Sequence, residues 1–215
     1  GTHPSMMKAA VQAKEEGLCH PILLGNDERI EKLAKELGLS LEGVEVVNLR
    51  HDREAERRER FARILTEKRQ REGYTFEEAN DKMFERNYFG MMMVETGEAD
   101  ACITGLYTKY SNTIKVAKEV IGMQESYSTF ATMHIINSKK GTYFVADTLI
   151  NRHPSKEVMK DIARLCEKSV RFFNHTPIMA MVSYSNFGTD TGGSAAAVHS
   201  AIEELQNEHP DWAID

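Results

Sequence analysis

Ala180-Met181-Val182-Ser183-Tyr184-Ser185-Asn186-Phe187-Gly188-Thr189 decides the reading of this chain. The stretch opens as an apolar strand and ends in a loop of hydroxyl and glycine residues. A helical pattern follows, from about Ser194 to Glu208. In open α/β sheets, ligands bind outside the carboxyl ends of strands, where such loops lie. The start of the following helix adds unpaired N–H groups and partial positive charge, which suits an anion. The same residues also make an ordinary strand-to-helix connection, so both readings stand at this point.

Working outward, the β–α rhythm repeats. Ser5 leads into an amphipathic helix carrying Met6, Met7, Ala10 and Ala13, with Gly17 as its stop. Pro21–Gly25 reads as a buried strand, Asn26-Asp27 as a cap, and Ile30, Leu33, Ala34 and Leu37 as a helix that ends at Gly38. Val44–Val47 is the next strand. This alternation predicts parallel sheets flanked by helices. Residues 53–72 predict a charged helix, with the basic run from Arg50 to Arg60 as a solvated face. Thr75 to Glu78 has the form of a capping box and opens one helix to about Thr96, with Met91-Met92-Met93-Val94 as core filling. Ala99–Gly105 reads as a strand with Thr104 and Gly105 at its end, and residues 108–121 as a helix.

The rhythm then breaks. Residues 128–137 and 142–146 predict a hairpin around 138–141, which places a domain boundary near residue 130: a first α/β domain over 1–130 and a second over 131–215. Asp147 follows at a strand end. A helix to Phe173, a strand over 177–184 and a strand start at Trp212–Asp215 complete the second half.

Of the 215 residues 28% are charged and the net charge is -6. An acidic balance excludes the basic footprint of non-specific nucleic-acid binding. Cys19, Cys102 and Cys166 are far apart and read as buried reduced thiols of a cytoplasmic protein. No apolar run has the length of a membrane span. The eight histidines show no paired ligand spacing, so no metal site is expected, and GxSxG, P-loop and GxGxxG motifs are absent. The strand-end loops therefore remain as candidates, namely Gly25-Asn26, Thr104-Gly105, Asp147 and Ser183–Thr189. Arg69, Lys109, Lys115 and Arg152 are the cations that could meet a phosphate-rich ligand there.

Several stretches carry a family resemblance. Gly1–Pro4 through Ile22–Asn26, Phe89–Gly105, Phe144–Thr148, Ser183–Ser185 and Pro210–Asp215 are similar, in this order, to the phosphate acetyltransferases. Where the free-standing transferase has Ser-Tyr-Ser-Thr and then Gly-Ser, this chain has Asn186-Phe187-Gly188. That variant, with Thr104–Tyr110, resembles the phosphate-acetyltransferase-like region at the C-terminus of bacterial NADP-dependent malic enzymes.

The resemblance implies two α/β domains with mostly parallel sheets and a cleft between them, in a homodimer or higher homo-oligomer. It implies a fragment lacking its first strand and the C-terminal side of its second domain. In the transferases two arginines hold the CoA phosphates. Arg69 falls on one of those positions and Lys115 on the other, where charge is kept but the bidentate fork is lost. The family's catalytic Ser-Arg pair and Asp lie beyond Asp215, so no catalytic residue is expected here.

The function implied is an acetyl-CoA-sensing regulatory and oligomerisation region. Its ligand, acetyl-CoA or CoA, would contact Arg69, Thr104, Gly105, Lys115, Ser183, Ser185, Asn186 and Gly188. A malic-enzyme domain in the same polypeptide would hold NADP and magnesium or manganese and convert malate to pyruvate and CO2. The alternatives are acyl transfer between CoA and acetyl phosphate, or a dimerisation module without a ligand.

Overall fold

The computed structural model describes residues 2–106, 108–186 and 189–215. The chain forms two compact units, Gly1–Gly122 and Met123–Asp215, both of mixed α/β structure.

In the first unit, α1 (Pro4–Glu15) starts behind His3, whose ring accepts the Ser5 N–H. β1 (Ile22–Leu24) then leads into α2 (Asp27–Leu37). Asn26 caps α2 by accepting the Arg29 N–H at 2.9 Å, and Gly38 ends it in the left-handed region at φ 65°. A side chain at Gly38 would be strained there, which is why glycine closes the helix. β2 (Glu45–Val47) pairs in parallel with β1, Ile22 against Glu45 and Leu24 against Val47.

Successive strand side chains face opposite ways. Leu23 accordingly joins Met7, Val11, Ile30, Ala34 and Val44. Ile22, Leu24 and Val47 pack instead on a larger core around Phe61, Leu65, Phe89 and Met92. The Phe61 and Phe89 rings meet edge-on at 5.2 Å. Each such fully buried side chain contributes about 1.5–3 kcal/mol. Helix α5 (Arg86–Glu95) approaches β1 closely at Gly90, where a Cβ would lie 3.0 Å from Leu24 Cδ1 and 3.2 Å from Cys102 Sγ. The Met91-Met92-Met93 run is buried core, as its pattern predicts.

Several expectations change here. The helix predicted from Thr75 to Thr96 is two helices, α4 (Phe76–Lys82) and α5. Turn bonds from Phe84 N–H to Asp81 O and from Glu85 N–H to Lys82 O break it, and no glycine or proline announces the break. The charged helix α3 (Ala55–Arg69) is not a wholly solvated face, because Arg58 is only 7% exposed. Its guanidinium donates to Leu49 O at 2.7 Å and His51 O at 2.9 Å and lies 4.6 Å from the Phe84 ring centre. Residues 99–105 pair with no strand among the described residues, and Ile103 is exposed. Cys19 and Cys102 are exposed and Cys166 half-buried, although the Cys102 sulfur itself packs near Gly90 and its burial pushes the thiol up. Helix α6 (Tyr110–Val120) closes the unit.

In the second unit, β3 (Met133–Ser138) and β4 (Gly141–Ala146) form the antiparallel hairpin that the sequence predicts. Helix α7 (Lys156–Phe172) begins at Ser155, which caps Val158 N–H. β5 (Ile178–Met179), α8 (Gly193–Glu208) and β6 (Ala213–Ile214) make a parallel β–α–β unit. β5 is far shorter than the predicted 177–184, although a bond from Met181 N–H to Asp215 O extends the ladder. Ala163, Leu205 and Ile214, with Met179, Met181 and Trp212, form its core.

Charged residues join α7 to α8. Lys160, 5% exposed, donates to Glu204 at 2.6 Å and Glu208 at 2.7 Å. Arg164 reaches Glu208, and Lys156 reaches Glu204.

Candidate functional site

Ser183, Ser185, Asp190 and Gly192 are tied together by hydrogen bonds. Ser183 Oγ accepts the Ser185 N–H at 3.2 Å, and Ser185 Oγ accepts the Asp190 N–H at 3.0 Å. The Tyr184 hydroxyl donates to the Asp190 carboxylate, which also accepts the Gly192 N–H at 2.9 Å. Those two bonds hold Asp190 below the usual carboxylate range. The loop delivers the chain into α8 at Gly192, with no side-chain cap and no acidic residue in the first turn. A helix start of this kind leaves N–H groups for an anion. Ser183 and Ser185 belong to this arrangement and Asn186 is exposed beside it. Gly188 lies outside the described residues.

Asp147 is a scaffold centre. Its carboxylate accepts N–H groups of Thr132 at 2.9 Å and Asn151 at 2.6 Å, and the Asn151 amide at 2.7 Å. Burial pushes its pKa up, but these bonds and the Thr132 hydroxyl outweigh it and hold the carboxyl well below its ordinary value. A carboxylate so occupied orders its loop rather than accepting a substrate proton.

Arg69 and Lys115 meet at one residue in the first unit. Arg69 Nε donates to the backbone carbonyl of Glu119 at 2.7 Å, and Lys115 Nζ lies 3.7 Å from the Glu119 carboxylate. Arg69 also donates to Lys118 O and, at 2.8 Å, to Glu72. Its guanidinium thus holds the C-terminal turn of α6. A phosphate at its Nη1 shares that nitrogen with Glu72. Lys115 is 65% exposed and is the freer cation.

The Glu119 carboxylate also accepts the hydroxyls of Tyr74 and Tyr88, with Lys82 at 3.9 Å. Burial and the neighbouring carboxylate push the Tyr74 hydroxyl up to about 12.

Thr104 donates to Asn87 Oδ1 at 2.7 Å, with Gly105 exposed beside it. Asn87 lines an open cavity of about 1050 Å3 at the carboxyl ends of β1 and β2, with Gly25, Asn26, Asn48 and Thr108. Arg29, Arg50 and Arg86 line it too. The sequence reading singled out Gly25-Asn26 but not these arginines. Their signal was position: each lies within a few residues of a strand end or helix start. Among the described residues no group of three or more His, Cys, Asp or Glu could hold a metal ion, and no helix is long and apolar enough to cross a membrane.

Comparison with known proteins completes the description. The profile of the phosphate acetyl/butaryl transferase family matches residues 1–215. The NADP-dependent malic enzyme of Salmonella typhimurium is 33% identical over the whole chain, which spans 28% of that enzyme. The phosphate acetyltransferase of Corynebacterium glutamicum is 28% identical, and the chain spans 64% of it. The solved EutD phosphotransacetylase of Staphylococcus aureus superposes with a TM-score of 0.85 at 25% identity, covering all of this chain and 65% of that structure.

Proposed function

The chain belongs to the phosphate acetyl/butaryl transferase family, and on that premise we propose that it is the acetyl-CoA-sensing and oligomerisation region of an NADP-dependent malic enzyme. One observation carries the choice within the family. The malic enzyme of Salmonella typhimurium matches the whole chain at 33% identity, against 28% for the phosphate acetyltransferase of Corynebacterium glutamicum, and the chain makes up only 28% of that malic enzyme's length. Such a length leaves room for a catalytic region that binds NADP and magnesium or manganese and decarboxylates malate.

The residues here suit a phosphate-bearing effector in part. Lys115 is exposed and loosely paired, and α8 starts without a cap behind Ser183, Ser185 and Asn186. Arg69 has its guanidinium on backbone carbonyls and contributes mainly by holding the helix that carries Lys115. Thr104 and Gly105 contribute the strand-end loop of the first unit. Acetyl-CoA shifts activity by binding one of two oligomer states more tightly, and the coupling is reciprocal at the level of binding.

The test is calorimetric titration of acetyl-CoA into the complete protein. Saturable binding that Lys115→Gln weakens about tenfold is expected for loss of one charge-assisted contact. An absence of binding heat and of thermal protection removes the reading.

A second reading is favoured by the superposition on EutD phosphotransacetylase. There the CoA thiolate attacks the acetyl carbonyl of acetyl phosphate and phosphate leaves. Acetyl phosphate formation from acetyl-CoA and phosphate by the complete protein distinguishes the two.

A further inference from the structure

The cavity at the carboxyl ends of β1 and β2 is lined by three arginines that form no ion pair among the described residues. Arg29, Arg50 and Arg86 have no carboxylate within ion-pair distance among the described residues. Among the described residues the Arg86 guanidinium reaches the Thr2 hydroxyl, at 3.4 Å, and that of Arg50 the Phe84 ring, at 5.9 Å. On the adjoining helix α3 the pattern is the opposite. Arg57 and Arg60 both hold Glu98, Arg63 holds Glu59 and Arg69 holds Glu72. On this cavity three arginines form no ion pair among the described residues although Glu28, Asp52 and Glu85 line it too, which is a feature to explain.

The wall is built rather than loose. Buried Arg58 fixes the carbonyls of Leu49 and His51 on either side of Arg50, and packs on Phe84, which also lines the cavity. The Asn48 amide donates to Asp27 at 3.0 Å, and its carbonyl oxygen accepts the Arg50 N–H at 3.2 Å. The start of α5 at Glu85 opens here with no side-chain cap. Glu28, Asp52 and Glu85 also face the cavity. They sit at helix starts, where carboxylates complement the helix dipole. They leave the lining electrically balanced, so a bare anion is a poor match. A ligand with a phosphate for the guanidiniums and hydroxyls for the carboxylates and Asn side chains matches both signs.

We propose that this cavity binds a phosphate monoester of a hydroxyl-rich small molecule, with Arg29, Arg50 and Arg86 on the phosphate. The proposal does not depend on the acetyl-CoA reading, since it uses neither Arg69, Lys115 nor the Ser183 loop.

AMP supplies the required chemistry as a probe and is titrated into the complete protein, with acetyl-CoA in parallel. Wild-type protein binds AMP, Arg50→Gln and Arg86→Gln each weaken it about tenfold, and the double variant about a hundredfold. Unliganded melting temperatures stay unchanged, because both side chains are exposed and lack a carboxylate partner. Arg71→Gln, at an exposed residue of the first unit that does not line the cavity, leaves AMP affinity unchanged. Parallel weakening of acetyl-CoA assigns the phosphate to the coenzyme. Weakening of AMP alone assigns it to a free mononucleotide or sugar phosphate, and both outcomes support the site. Failure of wild-type protein to bind either probe at millimolar concentration overturns the proposal, as does a double variant that binds AMP like wild type.

Discussion

Replacing Arg69 by alanine is expected to destabilise the first unit whether or not a ligand is present. The last four carbonyls of α6 have no partner within the helix ladder. Ala117 O accepts the N–H groups of Ile121 and Gly122, and Lys68 donates to Val120 O at 2.7 Å. Arg69 donates to the carbonyls of Lys118 and Glu119. A hydrogen bond from a charged donor contributes about 1.5–3 kcal/mol. Arg69 retains 17% side-chain exposure, so water replaces part of each bond and the lower end applies. The ion pair to Glu72, 57% exposed, adds almost nothing.

The sum is about 2–3 kcal/mol for Arg69→Ala, with Arg69→Lys recovering only part of it because one ammonium replaces the spaced nitrogens of the fork. Hydrogen exchange at the amides of residues 116–122 reads the effect. Protection should fall by about thirtyfold to a hundredfold if those amides exchange through unfolding of the unit. Unchanged protection, together with lost acetyl-CoA affinity, would refute the capping argument and make Arg69 a ligand contact.

Three further outcomes follow from the geometry. Thr75→Ala removes half of a capping box in which Thr75 and Glu78 exchange bonds of 3.2 and 3.0 Å, and should cost about 1 kcal/mol in urea unfolding. Phe61→Ala empties a site that is fully buried beside Phe89 and should cost about 3–5 kcal/mol, against a much smaller loss for Phe61→Leu. Bonds from Lys156 and then Lys160 hold Glu204 at about 2, below its ordinary 4.5. The folded value is depressed, so this contribution is complete above pH 4.5 and is lost as pH falls toward about 2. Glu204→Gln should flatten the acid limb of a Trp212-fluorescence stability profile in that window, and an unaltered limb would count against the clamp.

Local chemistry made much of the fold legible. Asn26 and Gly38 bracket α2, and Thr75 with Glu78 starts α4, because caps are decided by residues three or four apart. The hairpin over β3 and β4 and the parallel β1–β2 pair followed from strand patterning. Tertiary demands were not legible. The break at 83–85 accompanies the packing of Phe84 against Arg58, a partner 26 positions away in sequence, and no local signal marks it. Residues 99–105 have the composition of a strand, but a strand also needs a hydrogen-bonded neighbour. The same limit applied to the site. The family resemblance nominated Arg69 as a phosphate contact without showing that its guanidinium is engaged by the end of α6. The sequence reading passed over Arg50 and Arg86, whose distinction is a place on one cavity wall without an ion pair among the described residues.

The most direct test of the account is the rate of NADPH formation from malate by the complete protein, measured with and without acetyl-CoA. The account predicts malate turnover that acetyl-CoA changes and that Lys115→Gln makes less sensitive to the effector. Absence of malate turnover, with acetyl phosphate formed from acetyl-CoA and phosphate, would contradict it.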